Sequence, residues 1–299
     1  MLGSMKNMDR QLTHLKFDMN LNRRAFMIGG AAVISTASRI LTAAPRCTLT
    51  PEQEEGPYYV DFGKARRDVT EGKPGVPLQL RVALVDAKRC EPLEAAAVDI
   101  WHCDATGVYS GFTANGGGDD AGRGFGPPVG AISAINGRGG PGRGGSGGSG
   151  GPGGRGGGRG RGPIDETRFL RGIQVTNRQG IAEFATVYPG WYAGRTIHIH
   201  LKVHLGGSAR AESYAGGHVS HTGQLFLPED ITDQIAKMDP YVKHSNVHRT
   251  LHSEDNIFRQ QGGAQSMLSL ERLEKGSNAG GFVADVVLAV NPDATPAAF

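Results

Sequence analysis

The chain has 299 residues, 38% hydrophobic and 20% charged, ordinary proportions for a folded globular protein. That length suits one large domain or two small ones, and no uninterrupted apolar run reaches the ~20 residues of a membrane-spanning helix. The net charge of +3 is unevenly spread: residues 1–44 and 115–162 each carry six Lys/Arg against two Asp, so the remainder is mildly acidic. Neither a nucleic-acid partner nor stable membrane insertion is expected.

In chain order, Asn22-Arg23-Arg24-Ala25-Phe26-Met27 precedes the mildly apolar run Ile28 to Ile34. Adjacent arginines, an aromatic two positions on and a Gly/Ala-rich stretch ending at Thr42-Ala43-Ala44 match a twin-arginine export signal over residues 1–44. Ser35, Thr36, Ser38 and Arg39 interrupt the run and argue against a retained anchor. The expectation is export to the periplasm or beyond, with residues 45–299 forming the folded domain.

Thr50-Pro51-Glu52-Gln53 predicts a short helix start, with Thr capping and Pro at the first helical position. Residues 77–86 place Leu78, Leu80, Val82 and Leu84 on one face of a strand. Val98 to His102 predicts a second strand. Phe169 to Thr176 and Ile181 to Val187 flank Asn177-Arg178-Gln179-Gly180, a hairpin signal. Thr196 to Leu205 alternates, and Gln224 to Leu227 and Phe282 to Val290 complete the set. Glu229 to Met238 predicts the one helix of any length. The expected fold is mostly β, a β-sandwich with few short helices. Residues 115–162 hold 24 Gly in 48 positions, too little apolar surface to offset chain entropy. They are expected to be a disordered Gly/Arg-rich insert within the single domain.

Cys47, Cys90 and Cys103 allow one disulfide with one thiol left over, and sequence does not choose the pair. No Cys/His spacing of a zinc-thiolate site occurs.

The chemistry concentrates in Tyr188 to Val203. In a strand, residues i and i+2 share a face, so His198 and His200 point the same way with β-carbons ~7 Å apart, while Ile197, Ile199, Leu201 and Val203 pack on the other side. Two imidazoles so placed can hold one metal ion. A second stretch, Trp101 to Tyr109, brings Tyr109 beyond a Gly-containing turn after a strand, where a side chain can reach a site from a loop. His102, Asp104, His218, His221, His244, His248 and His252 are polar residues in loop-like contexts; His218 to His221 offers a secondary metal contact, with a solvated loop the favoured reading. Glu54, Glu55, Tyr58 and Tyr59 are candidates to face or line a pocket mouth.

These motifs, with Thr50-Pro51-Glu52, Glu55-Gly56-Pro57-Tyr58-Tyr59, Phe169 to Gln174 and Gly223-Gln224-Leu225-Phe226, resemble the intradiol ring-cleavage dioxygenases. The resemblance covers about residues 47–114 and 163–290. It implies one non-haem Fe(III) held by Tyr109, Tyr192, His198 and His200. It also implies that Tyr192 exchanges off the metal and accepts a proton. Arg195 and Gln224 would lie beside the substrate. A catechol-type aromatic diol and O2 are the implied small-molecule partners, and a muconate-type diacid the product. The stretch from His200 to Gln224 is longer here than in the ring-cleaving enzymes. The oligomeric state is left open, a homodimer included.

Two other readings compete. One is a different mononuclear His-x-His metal enzyme of the cupin kind, which would use a carboxylate and a third His and no phenols. The other is a secreted binding module on the same sandwich, without turnover.

Overall fold

The computed structural model describes residues 48–113 and 163–296. The expected export signal and the Gly/Arg-rich insert lie outside the described residues. Among the described residues, eight strands form two four-stranded sheets. The first contains β1 (Pro77–Asp86), β4 (Ile181–Val187), β7 (Ser269–Glu274) and β8 (Ser277–Val290), in the order β4-β1-β8-β7. β1 runs parallel to β8, and the other pairs are antiparallel. The second contains β2 (Ala97–Trp101), β3 (Arg171–Val175), β5 (His198–Arg210) and β6 (Ser213–Phe226), all antiparallel, in the order β3-β2-β5-β6.

The period-2 pattern explains the sandwich. Leu78, Leu80, Val82 and Leu84 of β1 meet Phe282, Ala284, Val286 and Leu288 of β8 in direct register. These side chains face Val98 and Ile100 of β2 and Ile199, Leu201 and Val203 of β5 in one buried cluster. Each such side chain contributes roughly 1.5–3 kcal/mol when fully withdrawn from water. With these residues turned inward, the alternate residues of the second sheet must face outward, away from the first sheet. That outer face carries Asp99, Trp101, His198, His200, Lys202 and Gln224, and every one of them is buried. The chain at 48–66 crosses this face, with Tyr59 on Asp99, Glu55 on Lys202, Glu54 on Gln224 and Gly56 against His200, while the Tyr109 and Tyr192 loops cover His198.

That crossing is where the expected helix at Thr50 fails. Residues 50–55 hold no helix. Instead Thr50 donates its backbone N–H to Ala289 and Gln53 donates to Thr222. Pairing to β8 and β6 uses the donors that a helix would have turned inward along its own axis.

The other helices are short: α1 (Glu229–Ile235), which stops before the expected Met238, and α2 (Asn256–Gln260). The second sheet also runs further than expected. β5 and β6 continue past a bulge at Val203/His204 into a long hairpin arm. His218 and His221 therefore sit on a strand, not in loops, and His221 is buried. Gly216 and Gly217, with φ of +76° and +79°, interrupt the alternation that would have marked this strand. His102 and His244 are buried too. His102 is held by the Cys103 carbonyl and the Thr186 hydroxyl, and His244 by the Trp191 carbonyl. Cys90 is disulfide-bonded and Cys103 is a free, buried thiol, which settles which thiol is left over.

Candidate metal centre

Tyr109 hangs from the turn after β2. Asp104 organises that turn: its Oδ1 accepts from the Thr106 and Val108 backbone N–H groups, and its Oδ2 pairs with Lys73 at 2.7 Å. An Asp side chain bonding its own backbone two residues on is a local turn device. Tyr192 comes from the loop between β4 and β5. Trp191 anchors that loop by donating its Nε1–H to the Val247 carbonyl at 2.9 Å. Gly194, at φ +89°, closes a turn that sets Tyr192 opposite Arg195. A positive φ at that place is the conformation glycine adopts without strain.

The two loops and β5 bring four donor atoms together. The Nε2 atoms of His198 and His200 lie 3.0 Å apart. The hydroxyls of Tyr192 and Tyr109 lie 3.2 Å and 3.4 Å from the His198 Nε2. All four side chains are buried. Ligands at ~2.1 Å from a first-row metal are separated from one another by about this spacing at tetrahedral to right angles, so the donor set fits one ion. The His198 Nδ1–H donates to the Thr196 carbonyl at 2.6 Å, which leaves its Nε2 lone pair facing the centre. His200 Nδ1 is buried without a hydrogen-bond partner. No group of three or more His, Cys, Asp or Glu side chains converges among the described residues; the convergence here is of phenols and imidazoles.

The electrostatics suit a hard cation. Burial pushes both phenols well above their ordinary range; Tyr192 adds to this at Tyr109, and Arg195 opposes it at Tyr192. Burial pushes both histidines down, assisted by Arg195 at His198 and by His198 at His200. The imidazoles are thus neutral with free lone pairs, while each phenol needs a cation to lose its proton.

Packing fixes the ligands. His200 stacks on Trp101, centroids 4.9 Å apart and planes 4° from parallel. A β-carbon at Gly56 would come within 3.1 Å of His200 Cε1, so the covering segment needs glycine there, where φ is also +71°. Tyr58 stacks on Tyr109 at 4.4 Å. Tyr59 turns away, donating to Asp99 at 3.2 Å beneath Lys202, whose Nζ also pairs with Glu55.

Arg195 is held on two sides. Its Nε donates to Asp255 Oδ2 at 3.0 Å and its Nη2 donates to Gln224 Oε1. Gln224 in turn donates from Nε2 to the Glu54 carbonyl at 2.8 Å. Both ends of the Gln224 amide are therefore engaged by protein groups, and it orients Arg195 and the covering segment. Asp255 escaped the sequence reading. Its position before Asn256-Ile257-Phe258 is legible as a helix cap, but its bond to Arg195 is not. Trp101 and Arg171 were likewise present in the motifs without a role.

No family model matches the chain, and no curated protein matches it. Solved structures do. An intradiol ring-cleavage dioxygenase from Tetranychus urticae is 29% identical with a TM-score of 0.62, over 84% of this chain and 98% of that one. A second dioxygenase crystal structure is 30% identical with a TM-score of 0.60, over the same shares of both chains. The chain belongs to the intradiol ring-cleavage dioxygenase family. It is accordingly an oxidoreductase of the class that incorporates two oxygen atoms. In this dioxygenase the residues at the centre come from three separate stretches, at 101–109, 188–200 and 224, which the second sheet and its loops bring together.

Proposed function

We propose that this dioxygenase uses Fe(III), held by Tyr109, Tyr192, His198 and His200, to cleave a catechol-type diol between its two hydroxyl-bearing carbons with O2, giving a muconate-type diacid. The observation that carries this reading is the approach of two phenol oxygens and the His200 Nε2 to within 3.0–3.4 Å of the His198 Nε2. Ferric iron, when bound, would act as a Lewis acid that favours phenolate and catecholate oxygen and draws electron density from the ring.

The protein's own part follows from the side chains. The two imidazoles donate as neutral ligands and need not lose a proton. Tyr192 accepts a proton from the diol at its phenolate oxygen, acting as a general base. Arg195, oriented by Asp255 and Gln224, presents a fixed cation to the negative charge that develops on the substrate. The aromatic cluster of Tyr58, Trp101, Tyr109, Phe112 and Tyr192 keeps the surroundings apolar, which strengthens those charge interactions.

A visible spectrum of iron-loaded protein, before and after anaerobic addition of catechol, tests the reading. Phenolate-to-iron charge transfer gives a burgundy colour that changes on diol binding. A nearly colourless iron protein would point to the cupin-like alternative, and a coloured protein that consumes no O2 with any catechol would point to a binding module. Tyr109→Phe should bleach or shift the band and lower turnover; an unchanged band would remove Tyr109 from the ligand set.

We also propose export through residues 1–44, supported by Arg23-Arg24 and the run that follows them. A reporter fused behind residues 1–50 should leave the cytoplasm, and export that survives Arg23→Lys with Arg24→Lys would exclude the twin-arginine route.

A further inference from the structure

Arg171 opens β3 and is 2% exposed. Sheet register pairs it with Trp101, Trp101 with His200, and His200 with Gln224. The four residues form one row across the outer face of the second sheet, at the level of the metal centre. At one end of the row Gln224 holds Arg195. At the other, Arg171 holds the peptide next to Tyr109: its Nε donates to Ser110 Oγ and its Nη2 to the Ser110 carbonyl, each at 2.8 Å. Ser110 Oγ donates onward to the Phe169 carbonyl at 2.6 Å. The third nitrogen, Nη1, is buried with no partner.

The two guanidiniums differ in one respect. Arg195 is paired with the buried Asp255 carboxylate. Arg171 takes part in no ion pair among the described residues, and its two partners are neutral oxygens of one serine. Asp99, on the same face of β2, favours the guanidinium through space but makes no ion pair with it; burial pushes its carboxyl up, and its Oδ2 already accepts from Tyr59. A buried cation without an ion-pair partner is costly, and the residue that Arg171 grips, Ser110, is the one that follows Tyr109 in the chain.

We propose that Arg171 is a positioning residue of the metal centre, clamping the Tyr109 loop and supplying the fixed positive charge that balances a phenolate ligand at Tyr109. The inference rests on the iron reading above.

Charge and clamp are separable by mutation. Arg171→Gln removes the charge, Arg171→Lys keeps it with a poorer clamp, and Ser110→Ala removes one clamp bond and leaves the cation. Iron-loaded proteins are compared at equal metal content by charge-transfer spectrum, resonance Raman and iron reduction potential. Arg171→Gln is expected to move the charge-transfer band to lower energy and the potential to more negative values. Its kcat/KM should fall by about 10–100-fold, the usual cost of losing an outer-sphere partner. Arg171→Lys and Ser110→Ala should keep band and potential close to wild type. If Arg171→Gln binds no iron, Arg171→Lys decides alone: a wild-type spectrum supports the charge role, and a shifted one overturns it. An unchanged Arg171→Gln, or a Ser110→Ala that shifts equally, also overturns it. A wild-type protein without phenolate bands overturns the iron reading itself, whereas wild-type bands with an unchanged Arg171→Gln overturn this inference only.

Discussion

His200→Ala is expected to yield a folded protein that no longer holds iron at one atom per chain. The donor lost is one of four that lie within hydrogen-bonding distance of His198 Nε2 or include it. Altering a group that merely supports a ligand costs about 10–100-fold in metal affinity, so removing a ligand should exceed that. The remaining donors are poorly placed to compensate. Two are phenols that burial holds in the protonated form, and each must release a proton to bind. Metal loading of the wild type should therefore strengthen as pH rises, with about two protons released per ion. The histidines add no such demand near neutrality, because burial keeps both pKa values below the ordinary one. Metal analysis alongside circular dichroism checks the result. His200→Gln, which retains more of the packing on Trp101, separates lost ligation from lost folding. Full iron content in both variants would rule out His200 as a ligand.

Asp255→Ala should produce the largest combined loss of stability and turnover. Asp255 is fully buried, and its two oxygens serve two structures at once. Oδ2 accepts from Arg195 Nε at 3.0 Å and from the Thr196 N–H at 2.9 Å, while Oδ1 caps α2 through the Ile257 N–H at 2.7 Å. Burial alone would raise this carboxyl, but Arg195 and the Thr196 N–H outweigh burial and hold it below its ordinary value. Removing one member of a buried pair costs ~3–5 kcal/mol, and a lost cap adds ~1 kcal/mol. Arg195 would lose its orientation toward the centre. Asp255→Asn keeps an acceptor for the cap and discards the charge, so it should recover much of the stability while kcat stays low. Urea unfolding and steady-state oxygen uptake measure the two effects. Normal kcat in Asp255→Asn would show that Arg195 needs no carboxylate to hold it.

The strands that alternate cleanly were readable from the chain. β1 occupies Pro77–Asp86, the residues expected, because four large aliphatics at every second position leave one face for the core. β7 went unread: Ser269–Glu274 is a mostly exposed edge strand, and its charged side chains carry little of the signal that burial writes into a sequence. The β6 arm was missed for a related reason, since its glycines and exposed polar residues need no apolar stripe. Thr50-Pro51 shows a helix-start pattern overruled by backbone bonds to β6 and β8, partners far along the chain.

The same division runs through the site. That His198 and His200 share a face, opposite Ile199 and Leu201, is a property of any extended chain, and no tertiary partner is needed to establish it. Which phenols meet those imidazoles depends on where two loops close. That Asp255 restrains Arg195 across 60 positions, that Trp101 lies flat on His200, and that Arg171 stands without a carboxylate are matters of sheet register and of the segment covering the outer face. Local order records what a side chain is and which way it points. Distance between remote side chains is set only when the sheets pair and the core between them closes.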